Sequence, residues 1–181
     1  EIIMAPSFTD EALEVLRTKK NLRLLKVDMS KEQGGHNMYV SMNGGILVQE
    51  QDIETKTVTA DMCVTEVKPS ECQLTDLDFA WRIVKHVKSN AIVVVKDGAT
   101  LGVGAGQMNR VGSARIALEQ ATAALAEEGK DIKTAEVVLG SDGFFPFDDC
   151  VTLASERGVS AIVQPGGSVR DEDSIKKANE L

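Results

Sequence analysis

Three glycines at alternate positions, Gly102, Gly104 and Gly106, separate a run of apolar residues from a long helical pattern. Glycine allows close approach of the backbone to a neighbour and leaves N–H groups free for a small or anionic ligand. Arg110 follows at the expected start of the helix, where exposed N–H groups favour an anion. The stretch therefore predicts either a substrate pocket or a hairpin whose glycines let a helix pack closely against it.

The chain turns before these glycines, at Asp97-Gly98, directly after the apolar residues 91–96. An Asp-Gly pair between two apolar runs is typical of a two-residue hairpin turn. A dinucleotide-binding loop instead reads G-x-G-x-x-G directly after a strand, and an acidic residue follows about 20 positions later. We therefore expect a hairpin that leads into a helix, and no NAD site.

Strands and helices alternate along most of the chain. Helical spacing and capping residues predict the helices, with Thr9 and Ser70 as the N-caps of the first two. Apolar runs predict the strands, and the opening strand-helix-strand unit favours parallel pairing and an α/β class. The predicted order is strand 1–5, helix 9–20, strand 22–27, an antiparallel arm 30–67 with an exposed strand at 57–67, helix 70–90, the hairpin, helix 111–128, strand 137–139, helix 148–157, strand 159–163 and helix 171–179.

Length and charge exclude several classes of protein. At 181 residues the chain is expected to form a single domain. Its net charge of −8 argues against nucleic acid and anionic membranes as partners. No apolar run approaches the roughly 20 residues that a membrane-spanning helix needs. The cysteines are three in number and lack C-x-x-C spacing, which predicts reduced thiols in the cytoplasm and neither disulfides nor a zinc site.

Four segments with polar residues are predicted at strand ends, where α/β sheets build ligand sites. The third segment contains three of the five phenylalanines of the chain within four residues, beside three aspartates. Aromatic rings and carboxylates together suit a flat heteroaromatic ligand that needs stacking and hydrogen-bond acceptors. Core packing is the alternative explanation for the same phenylalanines. The four segments are residues 88–90, 106–110, 141–149 and 164–168.

These segments carry a resemblance to a known family. In order they read KSNAI at 88–92, GVGAGQMNR at 102–110, SD and FFPF within 141–147, and QPGGSVRD at 164–171. This order and spacing resemble the AICAR transformylase/IMP cyclohydrolase family of purine biosynthesis, as does MNGGILVQ at 42–49. The similarity extends over essentially the whole chain and is strongest with the C-terminal part of the transformylase.

The resemblance implies a cytidine-deaminase-like fold, a three-layer α/β/α arrangement with a mixed sheet, which the family's transformylase contains twice. A single domain over 1–181 would then be the C-terminal copy, without the cyclohydrolase domain, the first copy and the C-terminal tail. The family transfers a formyl group from 10-formyltetrahydrofolate to AICAR ribotide, acts in the cytoplasm and forms homodimers. It also implies a monovalent cation, such as K⁺, near Asp142.

Site residues follow by matching motifs. Asn90 and Asp149 are expected in catalysis: Asn90 would stabilise the oxyanion or orient the attacking amine, and Asp149 would accept from the N–H groups of the pterin. Arg110 would supply charge for a phosphate or carboxylate. Gly143 stands where the family commonly has Ala. The substrate-binding residues expected from the resemblance are Arg110, Gly106, Gln107, Phe144, Pro146 and Ser168.

The resemblance also sets limits on activity. The family's catalytic Lys-His pair belongs to the first copy of the fold, and Lys85-His86 only imitates it within a predicted helix. The chain alone is therefore expected to fold but to transfer little formyl. The alternative hypothesis is a non-catalytic folate- or nucleotide-binding or regulatory module that retains the fold. A zinc deaminase would need H-x-E and P-C-x-x-C, and the sequence contains neither.

Overall fold

The computed structural model of the protein describes residues 1–28, 37–54 and 56–181. Contacts divide the chain into two compact units, one that ends at Glu54 and one made of the residues after it. The sequence predicts one domain over 1–181, and this stays a prediction. The start of the predicted antiparallel arm, residues 30–36, lies outside the described residues. Within the described ranges, no helix is both long and apolar enough to cross a membrane.

The first unit contains two separate pairs of strands. The parallel pairing of the opening strand-helix-strand unit is confirmed, and Thr9 caps the helix by accepting a hydrogen bond from the N–H of Ala12 at 3.2 Å. This helix ends at Leu16 and is therefore shorter than the predicted helix 9–20. The predicted antiparallel pairing in the arm is confirmed for the second pair. The elements are β1 (Ile2–Ala5), α1 (Asp10–Leu16), β2 (Arg23–Lys26), β3 (Asn37–Met42) and β4 (Gly45–Glu50).

The second unit contains four strands and four helices among its described residues. Ser70 begins the first of these helices with a capping box, as predicted, in which Ser70 and Gln73 bond each other's backbone N–H. The elements are α2 (Glu71–Val84), β5 (Ile92–Lys96), β6 (Ala99–Gly104), α3 (Arg110–Glu127), β7 (Val138–Ser141), α4 (Asp149–Glu156), β8 (Ala161–Val163) and α5 (Asp171–Glu180).

Two predicted elements of this unit are wrong. Residues 57–67 form no strand; they hold only a short 3₁₀ turn at Ala60–Met62. The N–H of Val58 donates to the carboxylate of Asp78 on α2 at 3.0 Å. This segment is therefore bonded to a helix and not to a neighbouring strand. The predicted helix 70–90 ends at Val84, and Asn90 therefore lies six positions beyond the helix that it was expected to terminate.

The main sheet has the order β6-β5-β7-β8 and is mixed. β5 runs antiparallel to both β6 and β7, whereas β7 and β8 are parallel. Alternate residues of β5 face opposite sides: Ile92 and Val94 pack in the core cluster with α3, and Val93 and Val95 pack in the cluster with α2. The predicted α/β class and mixed sheet are confirmed, with helices on both faces. The cytidine-deaminase-like topology stays a prediction.

The predicted hairpin turn at Asp97-Gly98 is confirmed, and a side chain of α2 stabilises it. Both turn residues have positive φ, 51° and 69°, as a two-residue turn of this kind requires. The two carboxylate oxygens of Asp76 on α2 accept the N–H groups of Asp97 at 2.9 Å and Gly98 at 2.8 Å. Asp76 is buried, so these bonds satisfy a carboxylate that would otherwise be costly to remove from water.

Two of the three alternating glycines are required for packing. A Cβ atom built on Gly102 would lie 1.9 Å from the carbonyl oxygen of Ala117, and one on Gly104 would lie 1.9 Å from that of Ser113. The backbone of α3 therefore rests directly on β6, which leaves no room for a side chain. Gly106 differs, because it has φ +64° and only the side chain of Lys88 nearby. The packing explanation holds for the first two glycines, and the pocket explanation remains for the third.

Candidate active site

The four predicted segments meet at one edge of the mixed sheet. In the strand register Ile92, at the start of β5, pairs with Gly104 at the end of β6 and with Ser141 at the end of β7. Gly140 pairs with Val163 at the end of β8, so the loop after β8 begins at the same edge. The residues that precede β5 and those that follow β6, β7 and β8 are thus gathered in one place, which confirms their predicted position at strand ends.

Asn90 is fixed by contacts with the glycine segment and α3. Its Nδ2 donates to the carbonyl oxygen of Gln107 at 2.9 Å, and its own carbonyl oxygen accepts from the buried hydroxyl of Ser113 at 2.6 Å. The N–H of Gly106 donates to the carbonyl oxygen of Lys88 at 2.8 Å. The structure therefore brings Asn90, Gly106 and Gln107 together. An amide has two N–H donors, so one donor of Asn90 remains after its bond to Gln107.

Arg110 is largely buried and paired. Its Nη1 contacts the carboxylate of Asp142 and donates to the hydroxyl of Ser141 at 3.0 Å and the carbonyl oxygen of Ala91 at 3.4 Å. The side chains of Arg110 and Asp142 are only 12% and 15% exposed. This pair joins the start of α3 to the end of β7. The Nη1 group of Arg110 is therefore engaged within the protein, which leaves fewer N–H donors of this side chain for a phosphate or carboxylate.

The carboxylate of Asp142 is surrounded by hydrogen-bond donors. Burial raises its pKa, but hydrogen bonds from Ser89, Arg110 and the N–H of Ala91, with the charge of Arg110, outweigh burial and hold the pKa below its usual value. The monovalent cation that the resemblance implies near Asp142 stays a prediction.

The space beside Arg110 depends on Gly143. A Cβ atom at this glycine would lie 2.5 Å from Nη2 of Arg110 and 3.3 Å from its Cζ. The guanidinium therefore occupies the place that an alanine side chain would take. Gly143 is one of the positions at which this sequence differs from what is common in the family it resembles.

The aromatic loop divides between the core and the surface. Phe145 is buried in the core cluster between the sheet and α3, so the core-packing alternative is correct for this residue. Phe144 and Phe147 are 46% and 50% exposed. The guanidinium of Arg170 lies 5.1 Å from the ring centre of Phe147, within reach of a cation–π interaction. The two exposed rings are the ones available to a flat ligand.

A cleft of about 570 Å³ lies between the start of α3 and the loop that leads into α4. It brings together three of the predicted site residues, Arg110, Pro146 and Asp149. Asp149 is the first residue of α4, and its Oδ1 accepts the N–H of Cys150 at 2.8 Å. The residues that line the cleft are Asn109, Arg110, Val111, Gly112, Arg115, Pro146, Phe147, Asp149 and Cys150.

Some predicted site residues lie outside this lining. Asn90 and Gln107 bond each other at the same sheet edge, and Phe144 is exposed, but none of these residues lines the cleft, nor does Gly106. Ser168 lies in the loop after β8, where its hydroxyl accepts the N–H of Arg170 at 3.1 Å. Arg170 in turn contacts the ring of Phe147, which lines the cleft. The catalytic and binding roles given to all these residues stay predictions.

The sequence interpretation missed several residues of the cleft. Asn109 is the N-cap of α3 and accepts the N–H of Gly112 at 2.7 Å. Asn109 lies within the predicted segment 106–110, but its capping role was not assigned, although Asn commonly caps helices. Arg115 and Cys150 line the cleft without any motif to mark them. Within the described ranges, no group of three or more His, Cys, Asp or Glu side chains is arranged to hold a metal ion.

Cys150 should be an unreactive thiol although it lines the cleft. Burial raises its pKa to about 12, and the charge of Asp149 adds to the effect. The thiolate is the reactive form of cysteine, so at pH 8 iodoacetamide should modify the exposed Cys72 and leave Cys150 unmodified. Mass spectrometry of peptides from the native chain measures both, and the denatured chain is the control. Modification of native Cys150 as fast as Cys72 would contradict the prediction.

The chain is an α/β protein with a cleft beside the strand ends of its mixed sheet. A sequence profile of the AICARFT/IMPCHase bienzyme family matches residues 1–120. The chain therefore belongs to the AICARFT/IMPCHase bienzyme family. The resemblance found in its motifs is confirmed at this level.

The relatives that this chain matches are longer proteins. It is 57% identical over 180 residues to the bifunctional purine biosynthesis protein PurH of Anoxybacillus flavithermus. The proteins of the same name from Bacillus cytotoxicus and Bacillus subtilis are each 53% identical over 180 residues. The alignments cover 99% of this chain but only 34%, 34% and 33% of the three relatives. The chain thus spans about a third of the length of these relatives.

Proposed function

We propose that this chain is the C-terminal transformylase part of a bifunctional purine biosynthesis protein. In this assignment it forms part of the site that transfers a formyl group from 10-formyltetrahydrofolate to AICAR ribotide. The ring closure to IMP belongs to another part of the protein. A homodimer in the cytoplasm is part of the same proposal.

The observation that carries the proposal is the meeting of four co-ordered motifs at one sheet edge. They are far apart in the sequence, yet Asn90 bonds Gln107, and Arg110 pairs with Asp142. A cleft beside them combines an exposed aromatic ring with the carboxylate of Asp149. Such a combination suits a pterin, which presents a flat face and ring N–H groups.

The residues at this edge suit a formyl transfer. A weakly nucleophilic aromatic amine attacks the formyl carbon, and negative charge develops on the formyl oxygen. The N–H of Asn90 that is not bonded to Gln107 would donate to this oxygen. Asp149 would accept from the pterin ring and hold the folate in place. The bond between the formyl carbon and N10 of the folate then breaks, and the proton lost by the amine passes to N10 as tetrahydrofolate leaves. Moving this proton requires a general acid–base group, which we assign to the Lys-His pair expected upstream of this chain.

Deletion in a full-length relative tests the assignment. Removing the matched third of the Bacillus subtilis protein should abolish formyl transfer to AICAR ribotide and leave the cyclisation to IMP intact. Each activity is assayed separately with purified protein. Loss of cyclisation with retained formyl transfer would assign the chain to the cyclohydrolase instead. Retention of both activities would favour the non-catalytic binding or regulatory module.

A further inference from the structure

The hydroxyl of Ser113 bonds a distant segment of the chain, although Ser113 lies within a helix. It is near the start of α3 and is fully buried. Thr75, Thr122 and Thr152, on α2, α3 and α4, each donate to the carbonyl oxygen four positions earlier, as helical hydroxyls often do. Ser113 instead donates to the carbonyl oxygen of Asn90, 23 positions earlier, at 2.6 Å. This bond therefore joins α3 to the segment that precedes β5.

The position of this hydroxyl is fixed by the packing of α3 on the sheet. A Cβ atom on Gly104 would lie 1.9 Å from the carbonyl oxygen of Ser113, so the backbone of α3 contacts β6 directly at this residue. A single rotatable bond separates a serine hydroxyl from its backbone, and that bond has only three staggered positions. The segment before β5 is therefore attached to the contact that places α3 on the sheet.

Two hydrogen bonds hold Asn90, one at its main chain and one at its side chain. Ser113 donates to the main-chain carbonyl oxygen, and the Nδ2 of Asn90 donates to the carbonyl oxygen of Gln107 at 2.9 Å. Together the two bonds set the direction of the amide N–H that is not bonded to Gln107. This direction matters for catalysis, because a donor acts on an oxyanion only when it lies about 2.7–3.1 Å from that oxygen.

We propose that Ser113 is a positioning residue for Asn90 in formyl transfer. The inference rests on the proposed function, in which the remaining N–H of Asn90 donates to the developing oxyanion. Ser113 is fully buried, so it acts through Asn90 and not by touching a substrate. A misplacement of about 1 Å can lower a rate by about 10²-fold. Loss of the hydroxyl should therefore lower kcat and leave KM for both substrates nearly unchanged.

A double-mutant cycle in a full-length bifunctional protein that carries this chain tests the inference. The variants are Ser113→Ala, Asn90→Ala and the two together, and steady-state kinetics of formyl transfer gives kcat and KM for each. Ser113→Ala alone should lower kcat about tenfold and change KM by less than about twofold. In the Asn90→Ala background it should lower kcat by less than about twofold, because the N–H that Ser113 positions is already absent.

Two further variants separate positioning from stability. Thr122→Val is the control, because it removes a hydroxyl that bonds a carbonyl oxygen of its own helix α3, and it should leave kcat unchanged. Ser113→Cys keeps the size of the side chain and a weak S–H donor, so it should retain more of kcat than Ser113→Ala. Thermal denaturation shows whether each variant is folded at the assay temperature. If Ser113→Ala is not, Ser113→Cys replaces it in the cycle, with a smaller expected loss.

An equal loss of kcat from Ser113→Ala with and without Asn90 would show that the hydroxyl supports the fold alone, and would overturn the inference. Unchanged kcat for Ser113→Ala, or normal kcat for Asn90→Ala, would overturn it as well. In each of these cases, formyl transfer by the original protein leaves the proposed function standing. Absence of formyl transfer from the original protein would overturn both.

Discussion

Under the proposed function, Asn90→Ala in a full-length bifunctional protein that carries this chain should lower kcat for formyl transfer by about 10²–10³-fold. The remaining N–H of the Asn90 amide would no longer donate to the oxyanion as charge develops. KM for either substrate should change little, because the lost contact is made in the transition state. Steady-state kinetics with both substrates varied gives the two constants separately.

The structural role of Asn90 predicts a smaller, different effect. It cannot act by ending α2, which stops at Val84. Its side chain does bond the carbonyl oxygen of Gln107, and loss of this bond should cost about 1 kcal/mol in the free energy of unfolding. A variant with normal kcat and only a lowered melting temperature would therefore show that Asn90 is structural.

Asn109→Ala is the matched control. Asn109 is the same residue type, lines the cleft and caps α3 through its bond to the N–H of Gly112. Its replacement should cost about 1 kcal/mol of stability and leave kcat close to normal. If Asn109→Ala lowers kcat as strongly as Asn90→Ala, the effect reflects the position of α3 and not an oxyanion contact.

Gly104→Ala should be among the most destabilising single changes in the chain. The added Cβ would lie 1.9 Å from the carbonyl oxygen of Ser113, and this oxygen belongs to the backbone of α3 and cannot rotate away. The helix would have to move off the sheet, at a cost of about 3 kcal/mol in the free energy of unfolding. The melting temperature should then fall by about 10 °C, which thermal denaturation followed by circular dichroism measures.

Gly45→Ala is the control for this change. Gly45 is also a strand residue, but a Cβ at this position would meet nothing within 4 Å. Its replacement should change the free energy of unfolding by no more than about 0.5 kcal/mol. Equal effects at the two positions would mean that close contact between α3 and β6 is not what requires glycine.

Local signals in the sequence predicted elements whose cause is local. Ser70 and Gln73 form a capping box from side chains three residues apart, and Asp97-Gly98 forms a turn that its own residues favour. The predicted strand at 57–67 was wrong because a non-local contact holds this segment. The segment near Val58 bonds the carboxylate of Asp78, and an alternating pattern contains no information about that partner.

The same difference between local and non-local causes applies to the candidate site. The sequence predicted which segments reach the edge of the sheet, because strand ends can be located from apolar runs. It did not predict that Arg110 pairs with Asp142, which depends on the register of β7 against β5.

Gly143 leaves space for the guanidinium of Arg110, which lies at the start of α3. With hydrogen as its side chain, Gly143 leaves room for the guanidinium of Arg110, 33 positions earlier in the chain. One methyl group there would displace the flexible end of Arg110 away from its present place. Positions 110 and 143 are consequently coupled, and substitutions at the two should be non-additive in a double-mutant cycle.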